Sequence, residues 1–213
     1  LITYGIDNLA AHYRATNVSY SAEETVFDVE HEGRNAVTFA THILGRGNVL
    51  NILAALAIAD RLGIPTEAQR RAVRQIEQIE HRLSIRRNGG ITILDDAYNS
   101  NPTGAKMALE VLGNFRAEGH RYVLTPGFVE MGTKQYENNR ELGQDIARAN
   151  PDGVYVINEV NRKAIVEGLE AGDYPASQLR CVASFSEAMS ELQPRLKHGD
   201  VMLYENDLPD SFK

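Results

Sequence analysis

The carboxyl-terminal part of the chain repeats one pattern of hydrophobic and polar positions. Beyond residue 81, short apolar runs alternate with longer amphipathic stretches. The apolar runs are typical of strands buried on both faces, and they lie at residues 91–94, 122–124, 154–157, 179–183 and 201–204. The stretches between them predict helices, near residues 102–115, 136–149, 161–171 and 185–196. This alternation predicts a doubly wound, mostly parallel, Rossmann-like α/β domain with right-handed crossovers.

The region before this repeat has a less regular pattern. Two β-prone runs, at residues 26–30 and 36–40, are separated by turn-forming residues and predict an antiparallel hairpin. Two helices follow in the pattern, so this region combines strands with two helices but looks too small and irregular to be complete. We therefore predict two domains, with residues 1–81 as the end of a larger domain and residues 82–213 as a whole one.

The two predicted helices of this first region have recognisable ends. Apolar spacing predicts the first over residues 48–62, with Asn48 as its N-cap and Gly63 as its stop. The second begins near residue 66, where Thr66 and Gln69 have the spacing of a capping box.

Composition excludes several classes of protein. The 43% hydrophobic content argues against a disordered chain, and the net charge of −7 argues against a nucleic-acid-binding surface. The single cysteine, Cys181, permits no internal disulfide, and no apolar run approaches the ~18 residues of a membrane span. The six histidines are scattered without a zinc-ligand spacing, so we expect no metal site in this chain. These features together predict a cytoplasmic protein without a membrane span.

The strongest candidate for chemistry is the segment DDAYNSNP at residues 95–102, directly after a predicted strand. Ligands of open α/β sheets gather at the carboxyl ends of strands. Of the two adjacent acids, one can face outward while the other binds ribose hydroxyls, a cation or an ammonium group. A structural interpretation explains Asn101 as a helix N-cap and Pro102 as the first helical residue, but it does not explain the acids, Tyr98 or Asn99.

A second candidate is the segment GRGNVLN at residues 45–51, which runs into the first predicted helix. Asn48 and Asn51 lie three apart, so a helix places both on one face in its first turn. Their carboxamides can donate to and accept from the edge of a base such as adenine. The alternative is a capped helix with one polar residue, and the motif alone leaves both interpretations open.

Three further segments have both a functional and a structural interpretation. Residues 127–134, GFVEMGTK, resemble a phosphate-binding loop, but the Lys and Thr stand in the wrong order, which predicts a structural turn. In the pair His81-Arg82, the guanidinium could clamp a phosphate or carboxylate, or the pair could be a solvated linker. The acidic segment after residue 204 could meet a substrate or form a charged tail.

These segments, in this order, resemble the Mur ligase family, and within it the branch that adds D-alanyl-D-alanine. The family pattern G-x-H-N-x-x-N-x-x-A-A is matched at residues 45–55, apart from Gly47 in place of His. Arg82 matches the junction arginine, and residues 95–102 match D-D-x-Y-N-x-N-P in full. The resemblance covers essentially the whole chain and implies the fold described above.

The resemblance implies an ATP-dependent amide ligase of peptidoglycan precursor synthesis that works through an acyl phosphate. It implies as substrates ATP, a UDP-linked muramoyl peptide or similar carboxylate, and an amino acid or dipeptide. It implies ATP contacts at Asn48, Asn51, Arg82 and Asp96. It also implies that Tyr98, Asn99 and Asn101 shape the site where the nucleotide meets the amino substrate.

The resemblance also implies features outside this sequence. The family's phosphate-binding loop, modified lysine and Mg²⁺ ligands are expected upstream of Leu1, so we expect a fragment that is inactive alone, with no assigned catalytic residue.

Two segments depart from the family: residues 125–132 replace G-D-M-x-E-L-G, and residues 204–207 replace a K-G-S type segment. These changes leave open a related ligase that acts on folate or a lipid-linked wall precursor, or a non-catalytic α/β binding module.

Overall fold

The computed structural model describes residues 1–21, 23–31, 35–98, 100–115 and 117–208. Its contacts divide the chain into two compact units. The first comprises Leu1–Gln78 with the positions Asn114 and Phe115, and the second comprises Ile79–Gly113 and continues from Ala117. The domain boundary that the sequence places after residue 81 stays a prediction. None of the helices in the described ranges is long and apolar enough to cross a membrane.

The first unit contains a four-stranded sheet and two helices. Its strands run in the order β1-β2-β3-β4, and they are β1 (Tyr4–Gly5), β2 (Tyr13–Tyr20), β3 (Thr25–His31) and β4 (Val37–Thr41). The strands β3 and β4 pair antiparallel with Phe27 opposite Phe39, which confirms the predicted hairpin. Inward-facing residues of β2 and β3 alternate with more exposed ones and pack against apolar residues of α1 (Arg46–Arg61).

The helix ends of the first unit correct two predicted caps. Helix α1 begins at Arg46 behind Gly45, and the Asn48 side chain donates to the Leu44 carbonyl (2.7 Å) instead of capping. Helix α2 (Thr66–Arg74) begins behind Pro65 without a side-chain cap. Gln69 is buried and donates backward to Asp60 and to the Ile64 carbonyl, so the predicted capping box does not form.

The second unit is built on a six-stranded sheet in the order β5-β6-β10-β7-β8-β9. Five strands are parallel and match the five predicted apolar runs: β6 (Ile91–Asp96), β7 (Arg121–Thr125), β8 (Gly153–Ile157), β9 (Leu179–Val182) and β10 (Val201–Glu205). The strand β5 (Ser84–Asn88) pairs antiparallel at the edge and was not predicted. Its last residues are polar and exposed, so it lacks the apolar pattern of a buried strand.

Helices connect these strands as predicted. They are α3 (Pro102–Asn114), α4 (Gln135–Ala149), α5 (Arg162–Ala171) and α6 (Phe185–Leu192). Short 3₁₀ turns add Gly132–Lys134, Ala176–Gln178 and Gln193–Arg195. After β9 the chain reverses its direction across the sheet to insert β10 between β6 and β7. Right-handed crossovers therefore place α6 on the face opposite the other helices, and α6 covers a core of side chains from β7, β8, β9 and β10.

This topology gives the second unit two functionally distinct edges. We call the ends of the five parallel strands and the residues that follow them the carboxyl edge. The starts of β6, β7, β8 and β10 and the residues that precede them form the amino edge. The segment at residues 95–102 begins at the end of β6, so it lies at the carboxyl edge, where the switch in chain direction favours a ligand site.

Candidate functional site

A cleft of about 580 Å³ opens at the carboxyl edge. Residues from the ends of β6, β7, β8, β9 and β10 contribute to it, together with the start of α6. Its apolar lining includes Leu124, Ile157, Phe185, Tyr204 and Leu208. The acidic and basic lining residues are His81, Arg86, Asp95 and Asp207. An apolar cleft with a few converging polar groups is the usual form of a small-molecule site.

The first acid of the segment, Asp95, is fully buried beneath this cleft. Its carboxylate accepts a hydrogen bond from His81 Nδ1 (2.9 Å) and one from the Ala97 backbone N–H (3.2 Å). The Arg86 guanidinium forms an ion pair with the same carboxylate. A buried charge needs such partners, so Asp95 is held by the protein itself.

The second acid, Asp96, is only partly buried. Its Oδ1 accepts the Leu83 backbone N–H (2.9 Å). Burial raises the pKa of Asp96, the Leu83 hydrogen bond opposes that shift, and the negative charge of Asp95 adds to it. The two acids therefore differ in their surroundings: Asp95 is enclosed by protein partners, whereas Asp96 is partly exposed and is the one accessible to a ligand.

Arg82 and Tyr98 lie next to Asp96. The Arg82 guanidinium is 5.0 Å from the centroid of the Tyr98 ring, and it favours the ionised form of Asp96. Tyr98 is 58% exposed, and its backbone N–H donates to the His81 carbonyl (3.1 Å). The structure thus brings three of the predicted site residues together on one surface of the second unit.

Asn101 has a structural role that the sequence also suggested. Its Oδ1 accepts the backbone N–H groups of Thr103 (3.1 Å) and Gly104 (3.0 Å), so it caps helix α3. The contact of Asn101 with an amino substrate stays a prediction. Asn99 lies outside the described residues.

Asn48 and Asn51 belong to the other unit, which is described by itself. Both lie in the first two turns of α1, where Asn48 is half-buried and Asn51 is exposed. One hydrogen of Asn48 Nδ2 is donated to the Leu44 carbonyl, so Oδ1 and the second Nδ2 hydrogen are the groups left for a base edge. Their role in adenine binding stays a prediction.

A buried network behind the segment was missed by sequence reasoning. Ser100 Oγ hydrogen-bonds Glu205 at the end of β10, and the Ser100 N–H donates to Asn206 Oδ1 (3.1 Å). Asn206 Nδ2 donates to the Gly127 carbonyl (2.7 Å). The end of β10 and the residue after it therefore hold the loops that follow β6 and β7. Glu205, Asn206 and Leu208 are buried, so they do not form a solvated tail.

Glu205 is the most unusual member of this network. Its side chain is fully buried, and its Oε2 has no hydrogen-bond partner among the described residues. Burial raises the pKa of Glu205 well above its usual range, and the nearby negative charge of Asp96 acts in the same direction. The only hint of this buried acid in the sequence is its place directly after the apolar run of β10. The same pattern also fits a solvated strand end, so the sequence does not distinguish the two.

The loop after β7 is a structural turn, as its residue order predicts. The Phe128 N–H donates to Asn139 Oδ1 (2.8 Å), and Asn139 Nδ2 donates back to the Phe128 carbonyl (2.9 Å). Gly127 has φ +75°, and a Cβ there would collide with Asn139 Oδ1. The backbone of this loop is thus directed at a side chain of the protein.

The described residues contain no group of three or more His, Cys, Asp or Glu side chains placed to hold a metal ion.

Comparison with known proteins identifies the family. Residues 81–204, more than half of the chain, match the Mur ligase, glutamate ligase domain, and residues 1–59 match the Mur ligase middle domain. The chain belongs to the Mur ligase family. The resemblance carried by residues 45–55, Arg82 and residues 95–102 is therefore confirmed.

Curated Mur ligases match almost the whole chain. The UDP-N-acetylmuramate–L-alanine ligase of Anaeromyxobacter sp. (strain Fw109-5) is 29% identical over 203 residues, which are 95% of this chain and 40% of that protein. The UDP-N-acetylmuramoyl-tripeptide–D-alanyl-D-alanine ligase of Bacillus subtilis (strain 168) is 25% identical over 194 residues, 91% of this chain and 41% of that protein. The chain thus spans about two fifths of the length of these relatives.

A solved Mur ligase has the same fold. The MurF ligase from Thermotoga maritima, in complex with ADP, superposes with a TM-score of 0.79 at 22% identity, over 97% of this chain and 45% of that one. This likeness confirms the predicted α/β architecture with its mostly parallel Rossmann-like domain.

Proposed function

We propose that the protein containing this chain is an ATP-dependent amide ligase of peptidoglycan precursor synthesis, active in the cytoplasm. It would activate the carboxylate of a UDP-linked muramoyl peptide, or a similar carboxylate, as an acyl phosphate. An amino acid or dipeptide would then attack to form the amide. The single observation that carries this proposal is the DDAYNSNP segment of a Mur ligase chain, placed at the carboxyl edge of the sheet beside the cleft.

For the nucleotide we propose four residues. Asp96 is partly exposed and would accept hydrogen bonds from the ribose hydroxyls, and Arg82 beside it would bind a nucleotide phosphate through its fork of donors. Asn48 and Asn51 would contact the adenine. The ADP in the Thermotoga maritima MurF structure supports ATP as the nucleotide.

For the amino substrate we propose the carboxyl-edge cleft. Its largely apolar walls suit a small apolar side chain or dipeptide. We also propose that Tyr98, Asn99 and Asn101, which follow Asp95 and Asp96 in the sequence, shape the place where the nucleotide meets the amino substrate. Mg²⁺ prefers several oxygen ligands around one ion. It would accompany ATP in the complete protein, as is general for this family, and no described residue is assigned as its ligand.

A related ligase with another acceptor is the second candidate. The observation that favours it is the replacement of the family's K-G-S type segment by residues 204–207, of which Glu205 and Asn206 are buried in the network behind the site. The relatives named above also differ in their amino substrates.

The test uses the complete gene product that contains this chain. ADP release should depend on both a carboxylate substrate, such as a UDP-linked muramoyl peptide, and one member of a panel of amino acids and dipeptides, and the panel decides between the two candidates. Asp96→Ala should raise the KM for ATP about tenfold or more, because a charged group that accepts hydrogen bonds is lost. Glu170→Ala, at an exposed position on α5, is the matched control and should leave that KM unchanged.

If no donor in the panel stimulates ADP release, the ligase proposal fails. An unchanged KM in Asp96→Ala would remove the ribose assignment and leave the activity in place.

A further inference from the structure

His81 stands at the carboxyl-edge cleft in an arrangement that the proposed nucleotide contacts do not use. Its Nδ1 lies 2.9 Å from Asp95 Oδ2, and both residues line the cleft. The Asp95 side chain is 0% exposed, whereas the His81 side chain is 44% exposed. A buried carboxylate thus holds an imidazole that still reaches the cleft.

The hydrogen bond to Asp95 determines which ring nitrogen is available. A carboxylate only accepts hydrogen bonds, so Nδ1 carries the hydrogen and Nε2 keeps its lone pair. No hydrogen bond reaches His81 Nε2 from the part of the chain that the structure describes. The imidazole therefore presents a proton acceptor to whatever enters the cleft.

The backbone of His81 has an uncommon conformation. His81 has φ +60°, in a region that residues with a Cβ rarely adopt. Its carbonyl accepts the Tyr98 N–H (3.1 Å), which ties it to the segment at residues 95–102. Strained residues of this kind persist where the surrounding structure determines them, and they cluster at functional sites.

The charged groups around His81 come from several elements. Asp95 belongs to β6, Arg86 comes from β5, and Asp207 follows β10. Arg86 pairs with Asp95, so the carboxylate serves the imidazole and the guanidinium together. Arg82 and Asp96 are the other charges of this surface.

We propose that His81 accepts the proton of the incoming amine, with Asp95 as its positioning residue; this rests on the proposed amide ligase function. An amino substrate arrives as an ammonium group, which has no lone pair for attack. His81 Nε2 takes one proton, and the amine nitrogen attacks the carbonyl carbon of the acyl phosphate. The C–N bond forms, the C–O bond to phosphate breaks, and the second amine proton leaves with the phosphate. Asp95 stabilises the imidazolium, which then releases its proton to solvent.

The second unit offers a matched control for this pair. His120 also stands beside a fully buried aspartate, with Nδ1 3.7 Å from Asp200 Oδ1 and a side chain that is 53% exposed. It directly precedes β7, at the amino edge, and does not line the cleft. His120→Gln removes an equivalent imidazole without touching the proposed site.

The test compares two nucleophiles in the complete protein. Hydroxylamine is uncharged at neutral pH, so it attacks an acyl phosphate without a base and gives a hydroxamate. His81→Gln should lower kcat with the amino substrate by ~100-fold or more, the range of general base catalysis, while hydroxamate formation stays within about threefold of wild type. His81→Asn is a second variant in case the first folds poorly, and circular dichroism checks both. His120→Gln should react normally with both nucleophiles.

The Asp95 variant gives a second readout. Asp95→Asn should lower kcat with the amino substrate by about tenfold or more while hydroxamate formation stays near the wild-type rate, because the new amide can donate to Nδ1 and leave the hydrogen on Nε2. A merely structural role of Asp95 would lower both reactions equally.

Two results would overturn the proposal while the ligase assignment stands: equal losses with both nucleophiles in His81→Gln, which indicate a structural role, or no loss with either. A wild-type protein that forms neither amide nor hydroxamate would instead contradict the ligase function itself.

Discussion

The two edges of the six-stranded sheet both bury an aspartate completely, but the partners of the two side chains differ. At the amino edge, Asp200 accepts the backbone N–H groups of His120 (2.8 Å) and Lys197 (2.8 Å). At the carboxyl edge, Asp95 is engaged mainly by the side chains of His81 and Arg86. A backbone amide is held in place by the chain. The side chains of His81 and Arg86 are half-exposed, so they can rotate away from Asp95 toward water or a ligand.

This difference separates an acid that holds the fold together from one that serves a site. Asp200 closes turns before β7 and β10 through backbone hydrogen bonds, which is a structural role. At the carboxyl edge, by contrast, several side chains have hydrogen-bonding groups that the described residues do not fully use. They are the imidazole of His81, the partly exposed carboxylate of Asp96 and the Oε2 of Glu205. Polar groups that are incompletely satisfied by the protein itself are typical of functional sites.

Removing each aspartate should show the largest difference between the edges. Asp200→Ala leaves two partly buried backbone donors without their acceptor and should lower the free energy of unfolding by about 3 kcal/mol. Asp95→Ala leaves only one backbone donor without an acceptor, because the Arg86 and His81 side chains can turn to water. We therefore expect a smaller loss in the free energy of unfolding, about 1–2 kcal/mol. Urea unfolding of this chain, followed by circular dichroism, measures both, with Glu170→Ala as the control. Equal losses for the two aspartates would contradict the distinction.

Much of this architecture follows from local pattern. Each parallel strand is an apolar run that ends where polar residues begin, so periodicity alone locates all five. The edge strand β5 was missed because its last three residues, Arg86, Arg87 and Asn88, are polar and exposed on a strand with one neighbour. The caps of α1 and α2 were misjudged because Gly45 and Pro65, the residues before each helix, set the turn without a side-chain hydrogen bond.

The site was predictable only as far as its residues are neighbours in sequence. The segment at residues 95–102 carries its own signal, and the cap by Asn101 is local. The contact between Ser100 and Glu205 joins residues 105 positions apart, and that between His81 and Asp95 joins residues 14 apart. No periodicity records such pairings, because strand order determines them.

Glu205 should give the carboxyl edge a pH dependence of intermediate size. Because its pKa is raised in the folded state, the native protein binds more protons than the unfolded chain above the ordinary glutamate pKa. Its stabilising contribution is complete below that pKa and is lost as pH rises toward the folded-state pKa. Glu205→Gln should therefore gain stability relative to wild type with rising pH, by up to about 1.4 kcal/mol per pH unit.

The measurement is the free energy of unfolding of wild type and Glu205→Gln at several pH values. Asp96 also has a raised pKa and is present in both proteins, so the difference between them reports Glu205 together with its electrostatic coupling to Asp96. Glu170→Gln removes an exposed carboxylate and should run parallel to wild type. A constant difference between wild type and Glu205→Gln would show that the buried carboxyl titrates alike in both states.

The smallest expected effect concerns the energetic coupling between two exposed side chains at the carboxyl edge, Arg82 and Tyr98. The Arg82 guanidinium lies 5.0 Å from the Tyr98 ring centroid, and Tyr98 is 58% exposed. Because cation–π contacts at exposed sites are weak, a double-mutant cycle of Arg82→Gln and Tyr98→Leu should give a coupling energy of about 0.5 kcal/mol. The same Arg82 variant combined with Tyr122→Leu provides the control. Tyr122 lies near the start of β7 at the amino edge, so this second cycle should be additive. A coupling of similar size in both cycles would mean that Arg82 acts through the whole sheet and not through the ring beside it.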